Sequence, residues 1–534
     1  MKILSFLFII VLVSSYPSRG QVQFVQRMEL DTKWEDMDFI ILTMENGLVG
    51  LRMIPGEGMR RERVLQYFTA DHQLRSKELK QLAVKGFHHL LGFDLDGDLL
   101  YVLLQSGETP SAEKLILEIN LISGETLEIP MDAILNMELQ EFFVLNRQAI
   151  FMGNMDYRPA IQVFNIANRH LTTIQGIYER DTRIIQMQKA PELEAFDVLI
   201  SRRDRLRNKV VSLISFDMEG NKSKEVRIDH LPDPQMEIME GVLTHAVNYS
   251  QALIGQFGLK RRDSNHGLFF TKINEFGEYK SHLYTLADFE NFYNYLPEKT
   301  RERRLRRLER RTAREKPTPI GSSFSTREII WQDGTYLVYN DHFTSSSGRY
   351  RRRDGMYINN FYRMSPMVSH WGGYGNYYSP LWTSPYLRAG QFTSEYRFIS
   401  AQFVLLDENG AIKWDSSLSL DNSNRTSPGK FGEISFDGSN LFYLYMDGVE
   451  LKLSHIRDGE VMMENETFEL ELIRENERIR DTQENSLNLL WWYQDYYLLT
   501  GKQRIRYQNE EGRENQREVF FLSKIKAGPA GDLN

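Results

Sequence analysis

Cysteine is absent from the 534 residues of this chain. Its absence excludes disulfide bonds, thiolate metal sites and a lipid anchor on a cysteine directly behind a leader sequence. Apolar residues make up 41% of the chain, so we expect burial of apolar side chains alone to hold the fold together. A protein exported without disulfides fits a bacterial cell envelope better than a eukaryotic secretory route.

An excess of positive charge is also absent, since 73 Asp and Glu residues outnumber 65 Lys and Arg residues and the net charge is −8. Nucleic acid is therefore not an expected partner, because phosphate binding requires a positive field. The HExxH, GxSxG and P-loop motifs are missing as well. We predict no cofactor and no metal ion, name no catalytic residue, and favour a protein that is not an enzyme.

Long apolar runs are missing except near the start of the chain. Residues 3–15 form an apolar run behind one lysine, and Ser18 and Gly20 stand three and one positions before Gln21. The run is shorter than the roughly 20 residues that span a bilayer. Residues 1–20 are predicted to be a signal peptide cleaved before Gln21, with an uncleaved membrane anchor as the alternative. We expect an exported protein in the bacterial periplasm, at the outer membrane or outside the cell, with no transmembrane segment after cleavage.

Short apolar strands recur in groups of four, about every 45–55 residues. The third and fourth strands of a group form hairpins of similar pattern at 210–228, 267–286, 401–420 and 451–470. A period of this size with four strands in each unit resembles the β-propeller superfold. The WD dipeptide series, the kelch double glycine and the sialidase-type Asp box are missing, so the resemblance implies a fold but no functional family.

The repeat predicts an all-β chain in which residues 21–534 form a single β-propeller of eight four-stranded blades. Seven blades is the second choice, if the weak third unit is misread, and a pair of sandwiches or an irregular all-β domain is the alternative to a propeller. The last unit has only three strands, and the spare strand at 22–30 is predicted to complete it and close the ring. The sixth unit is predicted from 328–331, 335–340, 400–407 and 412–420, and the eighth from 488–494, 496–501 and 518–525.

Two insertions interrupt the repeat, and the first is basic. It covers about 289–319, where a helix is predicted from 297 to 316. Glu302 can pair with Arg306 one turn later. The segment is predicted to be either a solvated connection between blades or a docking helix for an acidic partner, an anionic glycan or lipid headgroups. The arginines assigned to the docking helix are Arg303, Arg304, Arg306, Arg307, Arg310 and Arg311.

The second insertion, at about 341–398 inside the sixth unit, is rich in aromatic side chains and arginine. Tyr, Trp and Arg dominate the contacts of protein interfaces, and aromatic faces also stack on sugars. We predict recognition of a protein or a glycan here, with a plug or cap packed on the propeller as the alternative. The residues assigned to binding are Tyr350, Arg351, Arg352, Tyr357, Tyr362, Trp371, Tyr374, Tyr377, Tyr378, Trp382 and Tyr386.

Carboxylates give no clear sign of catalysis. In Asp94-x-Asp96-Gly97-Asp98 the glycine comes too early for an EF-hand loop, so a hairpin turn is predicted. Pairs of carboxylates could still meet from different blades, as glycoside hydrolysis requires. Four that lie near predicted strand ends carry no distinguishing context: Asp38, Asp197, Glu240 and Asp437.

These observations favour an exported, non-catalytic β-propeller that acts as a protein-interaction scaffold in the bacterial periplasm or at the outer-membrane surface. The expected partner is another protein of the cell envelope. The alternative is a propeller that binds or processes a glycan with the aromatic loop at the mouth of the central channel.

Overall fold

The computed structural model describes residues 20–529, apart from 57–62, 77, 88, 108, 132–136, 157, 179–181, 205–207, 248, 261–263, 321–322, 346–394, 426–428, 475 and 509–511. The described residues form eight separate antiparallel sheets of four or five strands, together with one α-helix and a few turns of 3₁₀ helix. The sheets follow one another around a ring. The predicted eight-bladed β-propeller is confirmed, and the seven-bladed alternative is wrong.

The first four blades each contain four consecutive strands. Blade one consists of β2 (Ile40–Met44), β3 (Gly47–Pro55), β4 (Arg63–Ala70) and β5 (Lys80–Val84). Blade two consists of β6 (His89–Asp96), β7 (Leu99–Gln105), β8 (Lys114–Asn120) and β9 (Thr126–Met131). Blade three consists of β10 (Glu138–Leu145), β11 (Gln148–Met155), β12 (Arg158–Asn165) and β13 (Leu171–Thr173). Blade four consists of β14 (Arg183–Ala190), β15 (Ala195–Arg203), β16 (Lys209–Asp217) and β17 (Lys222–Ile228).

The next three blades include the two insertions. Blade five consists of β18 (Met236–Leu243), β19 (Gln251–Leu259), β20 (Asn265–Ile273) and β21 (Tyr279–Thr285), and the helix α1 (Glu298–Thr312) follows it. Blade six consists of β22 (Ser323–Gln332), β23 (Thr335–Ser345), β24 (Tyr396–Asp407) and β25 (Ile412–Ser419), with the short β26 (Asn424–Arg425) paired to β24. Blade seven consists of β27 (Glu433–Phe436), β28 (Asn440–Asp447), β29 (Glu450–Arg457) and β30 (Glu460–Phe468).

Blade eight is closed by the first strand of the chain, as predicted. Its own strands are β31 (Glu477–Thr482), β32 (Asn488–Tyr493), β33 (Tyr496–Gln508) and β34 (Glu514–Pro529). The strand β1 (Gly20–Asp31) pairs antiparallel with β34 along its whole length. It supplies the fourth, outermost strand, so no blade of the ring is left incomplete.

Every pair of neighbouring blades shares one buried apolar cluster. Between blades eight and one, for example, Met28, Phe39, Phe68 and Phe520 pack together. Both faces of most sheets are covered by a neighbour, so central strands such as β7 are buried at almost every position. This two-sided burial explains why these strands appear in the sequence as continuous apolar runs rather than as alternating patterns.

The predicted strands differ from the structure where the strands are rich in polar residues. In blade six, β22 begins at Ser323 rather than 328, and β23 and β24 extend to Ser345 and back to Tyr396. In blade eight the prediction missed β31 altogether. β31 and β32 both pair with β33 and are two halves of one inner strand, interrupted at residues 483–487. The polar side chains of these extensions are paired with neighbouring strands, so they lack the apolar pattern on which the prediction relied.

The predicted basic helix is present but shorter than 297–316. α1 ends at Thr312, and the chain then turns through Glu315, whose φ is +54°. The amide of Lys316 returns to the carbonyl of Arg311, and Pro317 follows. Leu308 is the buried side chain of α1, where it joins the apolar cluster between blades five and six.

The two ends of the ring differ in the length of their connections. The first-to-second and third-to-fourth strand connections of each blade lie at one end, and the longest of them runs from 71 to 79. We call this the turn end. The other end holds the second-to-third strand connections and the connections between blades, including 286–322 and 346–395. We call it the insertion end, because the strand order places both insertions there.

Candidate functional site at the insertion end

The predicted binding residues between 350 and 386 all lie outside the described residues. They are Tyr350, Arg351, Arg352, Tyr357, Tyr362, Trp371, Tyr374, Tyr377, Tyr378, Trp382 and Tyr386. The structure instead shows where their segment starts and ends. Ser345 pairs with Tyr396, so both ends of the segment leave the insertion end of blade six side by side.

The arginines of α1 lie mostly in solvent. Arg311 is half-buried and its guanidinium donates to Thr318 Oγ1 at 3.2 Å, whereas the other five predicted docking arginines are exposed. The predicted pair of Glu302 and Arg306 forms at 3.2 Å, and both side chains are more than half exposed. A surface pair of this kind adds little stability. The exposed arginines are Arg303, Arg304, Arg306, Arg307 and Arg310.

The chain leading into α1 is fixed to the outermost strand of blade six. The carboxylate of Asp415 accepts hydrogen bonds from the amides of Glu290 and Asn291 at 2.9 and 2.8 Å. Ser417 donates to the carbonyl of Asn291 at 2.7 Å and accepts from the amide of Tyr295. The base of the first insertion is therefore held rigidly against blade six, beside the base of the second.

His342, three residues before the end of β23, is buried under this connection. Its ring contacts the rings of Phe292, Tyr295 and Phe324. Burial, together with the positive charge of Arg304, lowers the pKa of His342 to about 4. The imidazole is therefore neutral at physiological pH, and it joins the two insertion bases as part of a packed aromatic cluster.

A buried ion pair joins two strands of blade six on the side that faces blade seven. Arg327, the bulged residue of β22, donates from Nε to Asp341 Oδ2 at 2.8 Å. Asp341 also accepts from the Tyr339 hydroxyl at 2.6 Å and from the amide of Phe431 at 3.1 Å. Burial raises the pKa of Asp341, and Arg327 opposes that rise. The Tyr339 hydroxyl is 3.1 Å from that of Tyr443, which extends the network into blade seven.

A second buried cluster lies on the neighbouring residue of the same inner strand. Lys430 Nζ is 2.6 Å from Glu328 Oε2 and 2.8 Å from Glu433 Oε2. Burial raises the pKa of Glu328 to about 7, and the Glu433 charge adds to the rise while Lys430 opposes it. Glu328 Oε1 has no hydrogen-bond partner within the described part of the chain. Glu433 accepts from the amide of Trp491, so the cluster reaches blade eight.

Together, the two clusters give blades six, seven and eight a polar frame behind the insertion end. Each carboxylate is buried among its partners rather than open to solvent. The two clusters are therefore suited to holding the blades rigidly together. One of their carboxyls, that of Glu328, has a pKa near neutral pH. Sequence reasoning missed all of these residues. The one signal available was the charged pair Arg327-Glu328 at the start of the predicted apolar strand 328–331.

The carboxylates considered in the sequence are distributed around the ring and have partners of their own. Asp38 pairs with Lys502 at 2.9 Å. Asp197 accepts from Gln251 at 2.7 Å, and Glu240 accepts from Ser325 at 2.5 Å. Asp437 accepts the amides of its own turn. The structure gives each of these four carboxylates a structural partner and does not bring them together with one another.

The predicted hairpin turn around Gly97 is confirmed, and one of its aspartates has a further contact. β6 and β7 flank residues 97 and 98, and Gly97 has a φ of +59°. Asp94, however, is buried in β6 and lies 2.6 Å from Lys189 Nζ on β14, two blades away. Burial raises the pKa of Asp94 to about 6, and Lys189 opposes that rise.

The described residues contain neither a cluster suited to a metal ion nor a membrane-spanning helix. No group of three or more His, Asp or Glu side chains there is placed to hold a metal ion. No helix in that part of the chain is long and apolar enough to cross a membrane.

Comparison with known proteins finds propellers but no family. No family model and no curated protein matches the chain. The β-propeller domain of the Trilobed protease from Pyrococcus furiosus matches with 9% identity and a TM-score of 0.33, over 80% of this chain and 97% of that one. The polysaccharide lyase Uly1 matches with 8% identity and a TM-score of 0.37, over 82% and 90%.

A third solved structure, the acylaminoacyl peptidase from Pyrococcus horikoshii, matches with 9% identity and a TM-score of 0.33, over 80% of this chain. This chain spans about half of that enzyme, 52% of its length. TM-scores this low carry no argument about fold or function. The eight-bladed ring is established by the strand pairing and by the shared cores between blades.

Proposed function

We propose that this protein is an exported β-propeller that binds another protein of the bacterial cell envelope through its insertion end, and that it does so without catalysing a reaction. It would act in the periplasm or at the outer-membrane surface after removal of residues 1–20. The observation that carries the proposal is the asymmetry of the ring. Both insertions leave the same end, at blade six, while the connections of the other end are short turns.

The composition of the second insertion supports binding of a protein. It combines Tyr and Trp side chains such as Tyr362, Trp371 and Trp382 with arginines such as Arg351 and Arg352. These residue types supply most of the binding energy at protein interfaces, because they offer a large apolar area together with hydrogen-bonding groups. Their segment is anchored on paired strands of a rigid blade, as binding loops commonly are.

The polar frame behind the insertion end supports the same function. The Arg327–Asp341 pair and the Glu328–Lys430–Glu433 cluster join blades six, seven and eight beneath the insertions. Such a base limits the entropy that the protein loses when a partner docks on it. Because their charged groups are occupied with one another, we assign these residues to support rather than to catalysis.

The test is affinity capture from the native membrane fraction with purified wild-type chain and with a variant lacking the second insertion. Because Ser345 faces Tyr396, residues 346–395 can be replaced by Asn-Gly, a sequence that favours a two-residue hairpin turn. We expect specific partner proteins to be captured by wild type and lost with the variant. The matched control is R169E/K280E/K413E, three changes at exposed positions of the turn end, which should leave capture intact.

An unchanged set of captured proteins with the Asn-Gly variant would overturn the proposal. Retention of the wild-type chain on an immobilised envelope glycan, with no protein captured, would instead favour the glycan-binding alternative. Circular dichroism and thermal unfolding of all three proteins establish that each retains the folded ring during the comparison.

A further inference from the structure

Three exposed arginines of α1 have no partner within the described part of the chain, whereas Arg306 pairs with Glu302. Arg303, Arg307 and Arg310 lie one and two turns apart along the outward side of the helix, and none of them forms an ion pair or hydrogen bond there. Over residues 298–316 the sequence holds ten Lys and Arg against four Glu. The surrounding chain has the opposite sign, since the protein as a whole carries −8. Like charges this close repel one another unless an anionic surface covers them.

An acidic strip of matching length lies on the rim of blade seven. It begins in the outermost strand β30 and continues beyond it with Glu466, Glu469 and Glu471, all exposed. Side chains between them, Phe468 and Leu470, are half-buried and pack on the core between blades seven and eight. None of the three glutamates has an ion-pair partner among the described residues.

We propose that the arginines of α1 dock on the acidic strip of a second copy of this chain, so that the protein forms a symmetric dimer. The spacing of the arginines along α1 matches the spacing of the glutamates along the acidic strip. Arg303 and Arg310 are about 10 Å apart along the helix axis at 1.5 Å per residue. Glu466 and Glu469 are three residues apart, about 10 Å at the 3.3 Å per residue of an extended chain, with Glu469 one residue beyond the end of β30. Arginine pairs with carboxylate in a fork geometry that lysine cannot form, and α1 has eight arginines and one lysine in or adjoining its 298–314 stretch.

The positions of the two surfaces allow both contacts to form at once. The base of α1 is fixed to β25, the outermost strand of blade six, and the strip belongs to the outermost strand of blade seven. Both therefore lie on the rim at the insertion end of neighbouring blades. A twofold axis parallel to the ring axis, placed between two rings side by side, brings each helix against the strip of the other copy.

This arrangement doubles an interface that would be small on its own. One 15-residue helix covers less than the roughly 800 Å² per partner of a standard interface, and a twofold contact buries it twice. Both insertion ends point the same way in such a dimer, so they stay open to the protein partner proposed above. The inference goes beyond that function and does not depend on it.

The test is sedimentation velocity of the full purified chain from 1 to 100 μM, in 50 and 500 mM salt. We expect a dimer that forms in 50 mM salt and dissociates at least tenfold more readily in 500 mM salt. R303E/R307E/R310E and E466K/E469K/E471K should each be monomeric, because each places like charges at both contacts. An equimolar mixture of the two should form a dimer again, since every contact then joins opposite charges, and this recovery also shows that both variants are folded.

Each contrary outcome overturns the inference. A wild-type chain that stays monomeric at 100 μM in 50 mM salt excludes the dimer. A dimer that survives the helix reversal uses another surface, and a mixture that stays monomeric excludes the pairing of α1 with the strip. The R169E/K280E/K413E control should dimerise like wild type, and loss of its dimer would mean that overall charge rather than α1 drives association.

Discussion

The guanidinium of Arg327 lies 2.8 Å from the carboxylate of Asp341, with only 1% and 0% of the two side chains exposed. The pair joins β22 to β23 in blade six, and Asp341 lies four residues before the end of β23. No solvent screens the pair, so removal of either charge would leave the other buried and uncompensated.

Removal of Asp341 should destabilise the protein strongly. D341A leaves the Arg327 guanidinium buried without its carboxylate, and we expect a loss of about 3–5 kcal/mol in the free energy of unfolding. The measurement is urea denaturation followed by tryptophan fluorescence. The matched control is E302A, which breaks the exposed pair with Arg306 and should cost less than about 1 kcal/mol. Equal losses in the two variants would contradict the burial of the Arg327–Asp341 pair.

The free energy of unfolding should decrease as the pH rises, because Glu328 loses its proton. Burial raises its pKa from 4.5 to about 7, so the folded state holds the proton more tightly than the unfolded chain does. The resulting stabilisation is fully present below about pH 4.5 and is lost as the pH rises through 7. In E328Q we expect the decrease in unfolding free energy between pH 4.5 and 8 to be about 1–3 kcal/mol smaller than in the wild type.

Urea denaturation at pH 4.5, 5.5, 7 and 8 measures the effect. E302Q, a change at an exposed glutamate, should keep the wild-type pH dependence. Asp94, with its pKa raised to about 6, contributes in the same direction, so some fall remains in E328Q. An E328Q protein with the full wild-type slope would show that Glu328 titrates normally.

A disulfide across the ring closure should stabilise the protein. Gln23 on β1 faces Lys526 on β34, and the chain has no other cysteine to compete. Oxidation of Q23C/K526C joins the two strands across almost the whole chain, which the chain-entropy model values at about 4–6 kcal/mol and engineered bonds often deliver only in part. We expect a gain of at least about 2 kcal/mol in unfolding free energy, and the reduced variant in dithiothreitol is the control. Identical urea midpoints for the two forms would contradict the paired β1 and β34.

The proposed signal peptide at residues 1–20 makes a prediction about the mature chain. Protein isolated from the periplasm or the outer membrane of a bacterial host should begin at Gln21, as found by N-terminal sequencing. A substitution of Gly20 by Leu places a large side chain directly before the cut and should slow cleavage, because that position requires a small residue. Intact protein that keeps residues 1–20, or that stays in the cytoplasm, would refute the predicted export.

The repeat made most of the fold predictable, because buried sheets produce apolar runs at a fixed period. Blade three was predicted as the weakest unit and is present, although its fourth strand β13 contains only three residues. The start of β22 was not predicted. Residues 323–327 are polar except for Phe324, and a segment of this composition resembles a loop until its partners on other strands are known.

The candidate site was less predictable for the same reason. Asp341 contacts the amide of Phe431, and Glu328 contacts the amine of Lys430, although about ninety and one hundred residues separate the partners in sequence. Both contacts form only through the packing of blade seven on blade six. A single sequence carries no record of such long-range pairs. Composition did identify α1 and its exposed arginines, because a helix surface with that many charges cannot be buried.

The pairing of β1 with β34 sets a condition on how the protein is made. A ribosome finishes β1 some 480 residues before the start of its partner, an interval of about half a minute or more at roughly 5–20 residues per second. Throughout that time the other strands of blade eight have not been synthesised, so β1 has no sheet to join. The ring is open at the position of blade eight. The last step of folding is therefore the meeting of the two ends of the chain, and a chain passed across a membrane unfolded would complete its ring only on the far side.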